Sequence, residues 1–147
     1  MKSEWTEVAA EWNGDQAFTG INGTGGTVSM APAGEREDSV APMEMLLLGL
    51  AGCTGVDVVL ILQKMRQPLA SLRVEVRAKR ADSHPRVYTE IEITYLLSGE
   101  ELSEQAIEKA IRLSEEKYCS ASAMLGSIAK IRSSYRLDPD SSGRTES

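Results

Sequence analysis

The two cysteines are the side chains of this sequence best suited to chemistry. Cys53 and Cys119 lie 66 residues apart, and two cysteines are too few for a zinc site made of cysteine alone. A thiolate can attack a peroxide oxygen and become a sulfenic acid, which a second thiol converts to a disulfide. That chemistry requires the two Cα atoms to lie within about 7 Å of each other. The alternative is that both cysteines are small packing residues, because free cysteines are commonly buried.

Histidine chemistry is restricted, because His84 is the only histidine in the chain. One imidazole argues against zinc sites built on several histidines and against Ser-His or Cys-His catalysis with a spare histidine. His84 lies in the turn-forming sequence Asp82–Pro85. We therefore predict a solvated turn residue rather than a catalytic one.

Two carboxylates share the apolar segment that carries Cys53. Asp57 follows Cys53 by four residues and would lie on the same helix face, where its charge would raise the thiol pKa. The alternative is that Asp57 binds a basic group, from Arg36 or from another subunit. Glu44 lies about 180° from Cys53 around a straight helix, so contact between them requires a kink. Otherwise Glu44 is a favourable charge in the first helical turn.

A meander of short strands precedes that segment. The sequence predicts strands over residues 5–12, 15–21 and 27–30. Asn13-Gly14 fits a two-residue hairpin turn, because both positions tolerate positive φ. The glycine-rich stretch at 22–26 makes the second turn. It is not a phosphate-binding loop, because it lacks the Gly-Lys-Ser/Thr ending and no helix follows it directly.

The most apolar segment runs from Pro42, a favourable first helical residue, to about Met65. As a helix it would be about 35 Å long, enough to cross a membrane. Glu44, Asp57 and several glycines interrupt it, so we predict the fully buried central helix of a globular protein. A chain of 147 residues can hardly cover such a helix alone, which indicates a partner subunit.

Alternating strands and amphipathic helices follow the central helix. The resulting order, β-β-β-α-β-β-α-α-β, is that of an α+β domain. We expect one domain over residues 1–137 and a polar, disordered tail over residues 138–147. The remaining predicted elements are strands at 72–79, 87–96 and 131–137 and helices at 103–117 and 121–130.

Composition restricts the classes of partner. The chain has 16 basic and 22 acidic side chains, a formal net charge of −6. That balance argues against binding to nucleic acids or to anionic membranes, both of which require a basic surface. The N-terminal residues lack the apolar core of a signal peptide. We therefore expect a cytoplasmic protein with reduced thiols.

Five stretches of the chain resemble one known family. Pro42–Leu47, Gly52-Cys53, Asp57–Val59 and Leu62–Arg66 resemble the central helix of the OsmC/Ohr family, named for osmotically inducible protein C and organic hydroperoxide resistance. Glu116–Ser120 resembles the second cysteine motif of that family. The similarity covers about residues 5 to 137, and it points to the YhfA-like branch.

The resemblance implies an OsmC-like fold, in which an antiparallel sheet wraps around long buried central helices of an intertwined homodimer. It implies a thiol peroxidase that reduces organic hydroperoxides or hydrogen peroxide, with Cys53 attacking and Cys119 resolving. The reductant would be a cellular dithiol, in some family members a lipoylated protein. The resemblance implies no metal and no organic cofactor. Glu44 would take the part of the family glutamate. Arg36, in a loop that matches no family motif, is the nearest candidate for the activating arginine, and Asp57 would be a supporting residue.

The sequence also departs from the family pattern. Family peroxidases carry a catalytic arginine in the first hairpin, but this chain has no Arg or Lys between Lys2 and Arg36. The family glutamate often follows the helix-opening proline directly, a position that Met43 occupies here. These departures favour a second hypothesis, a dimeric binding module that holds a small apolar or thiol-bearing ligand at the subunit interface. A third is thiol chemistry on a substrate other than a peroxide.

Overall fold

The structure is a computed structural model that describes residues 4–138 of the chain. The described residues follow the predicted α+β order, with one π-helical turn added between the last two α-helices. The chain divides into two compact units, Met1–Leu46 and Leu47–Ser147. The long helix α1, Pro42–Lys64, contributes residues to both units.

The first unit contains an antiparallel meander. Its three strands pair in chain order and are β1 (Val8–Trp12), β2 (Phe18–Asn22) and β3 (Thr27–Met30). The predicted two-residue turn is wrong, because Trp12 pairs with Phe18 and the loop covers residues 13–17. Asp15 as well as Gly14 adopts a positive φ, at 47° and 106°. The chain therefore makes a wider turn than Asn-Gly alone would give.

The second unit contains a three-stranded sheet with β5 in the centre. Its strands are β4 (Ser71–Arg80), β5 (Tyr88–Ser98) and β6 (Lys130–Asp138). β4 pairs antiparallel with β5, but β6 pairs parallel to β5, so the sheet is not wholly antiparallel as expected. Parallel pairing requires a crossover connection, which the helices between β5 and β6 provide. The six strands of this chain form two separate sheets.

The central strand β5 shows the alternation that the sequence predicts. Its inward residues are almost completely buried, and its outward residues are partly exposed. The inward set is Ile91, Ile93, Tyr95 and Leu97. Tyr95 stands out among these aliphatic side chains because its buried hydroxyl needs a hydrogen-bond partner.

Helix α1 buries only one stripe within this chain. Its buried residues recur every four positions and are Leu50, Thr54, Val58 and Leu62. Large apolar side chains on its other faces are about half exposed, Leu48 and Leu60 among them. The sequence predicted that every face of this helix would be buried, but a single chain buries only one of them. Among residues 4–138, α1 is the one helix long and apolar enough to cross a membrane, a test that core helices also pass.

The segment between β5 and β6 differs from prediction in one important detail. Helix α2, Glu104–Leu113, begins with Ser103, whose hydroxyl accepts the N–H of Ala106. The sequence predicted that this helix would reach residue 117, but a π-helical turn, Ser114–Tyr118, replaces its last part. The short helix α3, Ser120–Gly126, follows.

The predicted tail began at residue 138. Asp138 is instead the last residue of β6. The rest of that predicted tail, residues 139–147, lies outside the described residues.

Candidate dithiol site

The structure brings Cys53, Asp57 and Cys119 together in the second unit. The two sulfurs and a carboxylate oxygen of Asp57 all lie within 4.8 Å of one another. Cys53 and Asp57 are one turn apart on α1, so the helix itself places them on one face. Cys119 comes from the residue that precedes α3. Two cysteines far apart in sequence therefore form a pair, which the sequence alone did not reveal.

The π-helical turn determines where Cys119 lies. The backbone N–H of Cys119 donates to Ser114 O at 2.7 Å, which closes the turn. Cys119 then leaves the helical region (φ −81°, ψ 106°) and caps α3, its Sγ accepting the N–H of Ser122 at 3.3 Å. π-Turns are often found at functional sites, where they redirect one side chain. A continuous α-helix to residue 117 would place Cys119 differently.

The two cysteines differ in accessibility. Cys53 is half-buried, whereas Cys119 is 3% exposed. Burial raises the pKa of the Cys119 thiol, the Ser122 hydroxyl and N–H oppose that rise, and the neighbouring Cys53 thiol adds to it. Cys119 is therefore mainly a neutral thiol near pH 7, and Cys53 is the sulfur that a molecule from solvent can reach first.

Ser122 is a polar residue of the site that sequence reasoning missed. It is 8% exposed, and its hydroxyl has no hydrogen-bond partner among the described residues. The hydroxyl lies close enough to the Cys119 sulfur to favour its thiolate, although the two do not meet the geometry of a hydrogen bond. Buried hydroxyls without a partner are uncommon.

Asp57 accepts a hydrogen bond from a hydroxyl of its own unit. The Ser114 hydroxyl donates to Asp57 Oδ2 at 3.0 Å, and Ser114 is fully buried. Within residues 4–138 the ion pairs of the structure involve other carboxylates, and none reaches Asp57. Arg36 belongs to the other unit, so the interpretation that it binds Asp57 stays a prediction.

A hydrogen-bond chain runs from the buried Tyr95, beside Cys119, to the exposed Ser133. Tyr95 donates to Glu115 Oε2 at 2.6 Å, and Ser133 donates to Glu115 Oε1 at 3.0 Å. Burial raises the pKa of Tyr95, the Glu115 hydrogen bond raises it further, and the Thr54 hydroxyl acts in the opposite direction. Tyr95 therefore keeps its proton and connects the central strand to the π-helical turn. The signal in the sequence was a tyrosine on an otherwise aliphatic strand face.

The other predicted site residues are described within their own units. Arg36 is exposed in the segment between β3 and α1. Glu44 accepts the backbone N–H of Ala41 at 2.8 Å, which supports its alternative role as a helix-opening charge. Both belong to the first unit. His84 is exposed between β4 and β5, as predicted for a solvated turn residue.

No basic side chain is part of the dithiol site as described. Within residues 47–138, no Lys or Arg forms a hydrogen bond or ion pair with Cys53, Asp57 or Cys119. A nearby cation is a main way to lower a thiol pKa and stabilise a thiolate. Neither the two thiols nor the Asp57 carboxylate therefore has a basic hydrogen-bond or ion-pair partner in that part of the chain.

Comparisons with known proteins agree with this fold. A sequence model of OsmC-like proteins matches residues 34–134. Protein YhfA of Escherichia coli (strain K12) is 34% identical over 132 residues, which cover 89% of this chain and 97% of YhfA. The crystal structure of an Aquifex aeolicus VF5 protein matches with a TM-score of 0.77 and 35% identity, over 92% of this chain and 99% of that one.

A more distant structural relative carries a functional description. It is an organic hydroperoxide resistance protein OsmC from Legionella pneumophila, also described as a predicted redox protein. The match has a TM-score of 0.68 and covers 91% of this chain and 98% of the other. The identity is 13%, so this similarity shows a shared fold.

Proposed function

The chain belongs to the OsmC family, and from that premise we propose that it is a two-cysteine thiol peroxidase. In this proposal Cys53 attacks the peroxide and Cys119 resolves the product. The supporting observation is that the two sulfurs lie within 4.8 Å of each other. A disulfide bond has a length of about 2.05 Å, so a small local movement is enough to form it.

The proposed reaction has two steps. The Cys53 thiolate attacks one oxygen of ROOH, the O–O bond breaks, and the alkoxide takes a proton and leaves as ROH. The oxidised Cys53 is then a sulfenic acid. The Cys119 thiolate attacks the Cys53 sulfur, hydroxide leaves and is protonated to water, and the disulfide forms. A dithiol reductant supplies the two electrons that restore both thiols, and a lipoylated protein has the required chemistry.

Burial supports this division of roles. The half-buried Cys53 can meet a substrate from solvent, whereas Cys119 is 3% exposed and is shielded from direct attack by peroxide. A shielded thiol next to the reactive sulfur favours disulfide formation over a second oxidation by peroxide. The raised pKa of Cys119 keeps most of this thiol protonated near pH 7, which slows its own attack on peroxide.

Two observations favour organic hydroperoxides over hydrogen peroxide. The Legionella protein of the same fold is described by its resistance to organic hydroperoxides. In this chain an open apolar groove of about 620 Å³ runs between α1 and β4. Gly52, the neighbour of Cys53, lines it together with Gly55, Leu72 and Val74. In the proposed dimer this groove would lie at the subunit interface, where an apolar substituent on the peroxide would gain from burial.

A homodimer is part of the proposal. Only 22% of the most apolar window of α1 is buried within this chain, and its mean hydropathy is 2.3. Exposed apolar surface of that extent indicates an interface. A second copy suits it better than lipid, because α1 also carries Cys53, Asp57 and the capping Glu44. A cytoplasmic location is consistent with the need for reduced thiols.

The absence of a basic neighbour favours one other candidate function. Because no Lys or Arg of residues 47–138 contacts the dithiol, peroxide attack has no cationic assistance from that region. An OsmC-like dimer that binds a small apolar or thiol-bearing ligand would not need that assistance. The apolar groove beside Gly52 would then be the ligand site.

One experiment separates the two candidates. The fully reduced, metal-free chain is mixed with cumene hydroperoxide or with hydrogen peroxide, and free thiols are counted by mass spectrometry. A peroxidase loses both thiols rapidly to a Cys53–Cys119 disulfide, and Cys53→Ser abolishes the reaction. Cys119→Ser consumes one equivalent and stops. Thiol loss no faster than that of a small free thiol at the same pH would eliminate the peroxidase in favour of the binding protein.

A further inference from the structure

We propose that the reduced dithiol and Asp57 form a binding site for a thiophilic divalent cation such as Zn²⁺. The proposal stands apart from peroxide chemistry and departs from the metal-free site that the family resemblance implies. Two sulfurs and a carboxylate oxygen lie within 4.8 Å of one another, and both thiolate sulfur and carboxylate oxygen are zinc ligands in proteins.

The geometry suits a tetrahedral ion. Zinc binds thiolate sulfur at about 2.3 Å and carboxylate oxygen at about 2.0–2.2 Å, which places tetrahedral ligands roughly 3.5–4 Å apart. The three ligand atoms are already within 4.8 Å, so closure onto an ion needs only side-chain adjustment. Cys53 and Asp57, one turn apart on α1, supply two ligands from a rigid element. Cys119 supplies the third, and the fourth position remains for water or another ligand.

The groups around these ligands support the same interpretation. The Ser114 hydroxyl binds Asp57 Oδ2 and leaves Oδ1 available for a metal, and metal-binding carboxylates commonly have such a partner. The Ser122 N–H donates to the Cys119 sulfur and stabilises its thiolate. The Ser122 hydroxyl, 8% exposed and without a partner among the described residues, lies beside the same sulfur. A metal-bound water would give that hydroxyl its missing hydrogen bond.

Charge balance also favours a cation. On binding, Zn²⁺ displaces one proton from each thiol, no electrons move, and two thiolates plus one carboxylate leave the site with one net negative charge. No Lys or Arg of residues 47–138 contacts these groups, so a metal ion supplies the positive charge that this part of the chain does not. Disulfide formation consumes both sulfur ligands, so the metal and the disulfide exclude each other.

The test is a Zn²⁺ titration of the reduced, full-length chain without oxygen, in competition with a chromophoric chelator. We expect one Zn²⁺ per chain, release of up to two protons, and protection of both thiols from alkylation. Asp57→Asn should weaken binding by at least about tenfold, the effect typical of losing a supporting metal contact. His84→Gln, which removes the sole histidine, is the matched control and should bind with unchanged affinity.

Two further measurements use the wild-type chain, so their results do not depend on whether a variant folds. Wild-type chain oxidised to the disulfide should lose the site completely, and Co²⁺ bound to the reduced chain should show a thiolate charge-transfer absorption band. The proposal is overturned if the oxidised chain or a Cys53→Ser/Cys119→Ser double variant binds Zn²⁺ as tightly as the reduced chain, or if no Zn²⁺ binds. Because peroxide consumption is measured on metal-free protein, failure of the peroxidase and failure of the metal site remain distinguishable.

Discussion

The Ser114 hydroxyl donates a 3.0 Å hydrogen bond to Asp57 Oδ2, which ties the π-helical turn to the helix that carries Cys53. Ser114 O also accepts the backbone N–H of Cys119 at 2.7 Å. One fully buried serine thus positions both the carboxylate and the second sulfur of the site.

Ser114→Ala should therefore weaken both the fold and the site. The variant leaves the Asp57 carboxylate without its donor, a loss of about 1–3 kcal/mol in the free energy of unfolding. Urea denaturation of the reduced chain measures this loss. Ser83→Ala, at an exposed serine between β4 and β5, is the matched control and should change stability by less than about 0.5 kcal/mol. Equal stabilities of the two variants would contradict a structural role for the Ser114–Asp57 contact.

Tyr95→Phe tests the hydrogen bond from the buried Tyr95 to Glu115 without leaving a large cavity. The change removes the donor to Glu115 Oε2 and should reduce the free energy of unfolding by about 1–3 kcal/mol. Tyr135→Phe is the control, because the Tyr135 hydroxyl likewise bonds to carboxylates, sharing its one hydrogen between Glu104 and Glu108, but on a more exposed surface. Tyr135→Phe should reduce the free energy of unfolding clearly less than Tyr95→Phe does. A larger loss for Tyr135→Phe would show that burial does not determine how much these hydrogen bonds stabilise the fold.

The titration of Tyr95 should also affect how the free energy of unfolding depends on pH. Burial and the Glu115 hydrogen bond raise the pKa of folded Tyr95 above its ordinary value of 10.0. Above about pH 10 the folded state therefore retains a Tyr95 proton that the unfolded state loses. The contribution of Tyr95 to the free energy of unfolding is complete below about pH 10 and declines as the pH rises further. Urea midpoints of the wild-type chain should fall with alkaline pH more steeply than those of Tyr95→Phe. Parallel curves would mean that Tyr95 titrates normally in the folded state.

The sequence predicted the elements well and the site only in part. Strict alternation in β5 and the apolar run of α1 are local patterns, so both elements lie within two residues of their predicted bounds. The proximity of Cys53 to Cys119 depends on the π-helical turn, which no periodicity reveals. Propensity favoured an unbroken helix to residue 117, because Glu115–Lys117 are all good helix formers.

The supporting polar residues were missed for a related reason. Ser114 and Tyr95 acquire their roles through partners distant in the chain. Ser122 acts on the nearby Cys119, whose position depends on the π-helical turn. A buried tyrosine at a core position was the one local indication, because its hydroxyl must find a partner. Arg36 and Glu44 belong to the first unit, and their proposed roles at the dithiol stay predictions.

Disulfide formation should depend on the titration of Cys119. Burial raises the pKa of this thiol above its ordinary value of 9.0, so only a small fraction is thiolate near neutral pH. After one equivalent of peroxide, the conversion of the Cys53 sulfenic acid to the disulfide should accelerate by up to about tenfold per pH unit between roughly pH 6 and 8. Rapid acid quenching followed by mass spectrometry measures the two species. A rate that is independent of pH over this range would show that Cys119 is already ionised.

The exposed apolar face of α1 predicts that a charge placed on it will weaken dimerisation. Leu60 is 52% exposed and Val56 is 59% exposed within one chain, and both line the apolar groove. If a second copy covers this face, Leu60→Asp buries an uncompensated charge at the interface, which costs about 3–5 kcal/mol and weakens dimerisation by more than a hundredfold. Sedimentation equilibrium of the wild-type and variant chains measures the change.

Met124→Asp is the control for that experiment, because Met124 is 73% exposed on α3 rather than on α1. It adds the same charge to an equally apolar position and should leave the dimer intact. Loss of the dimer in both variants would indicate a general effect of charge rather than an α1 interface. A wild-type chain that sediments as a monomer would remove the dimer from the proposed function, and the exposed face of α1 would then need a different partner.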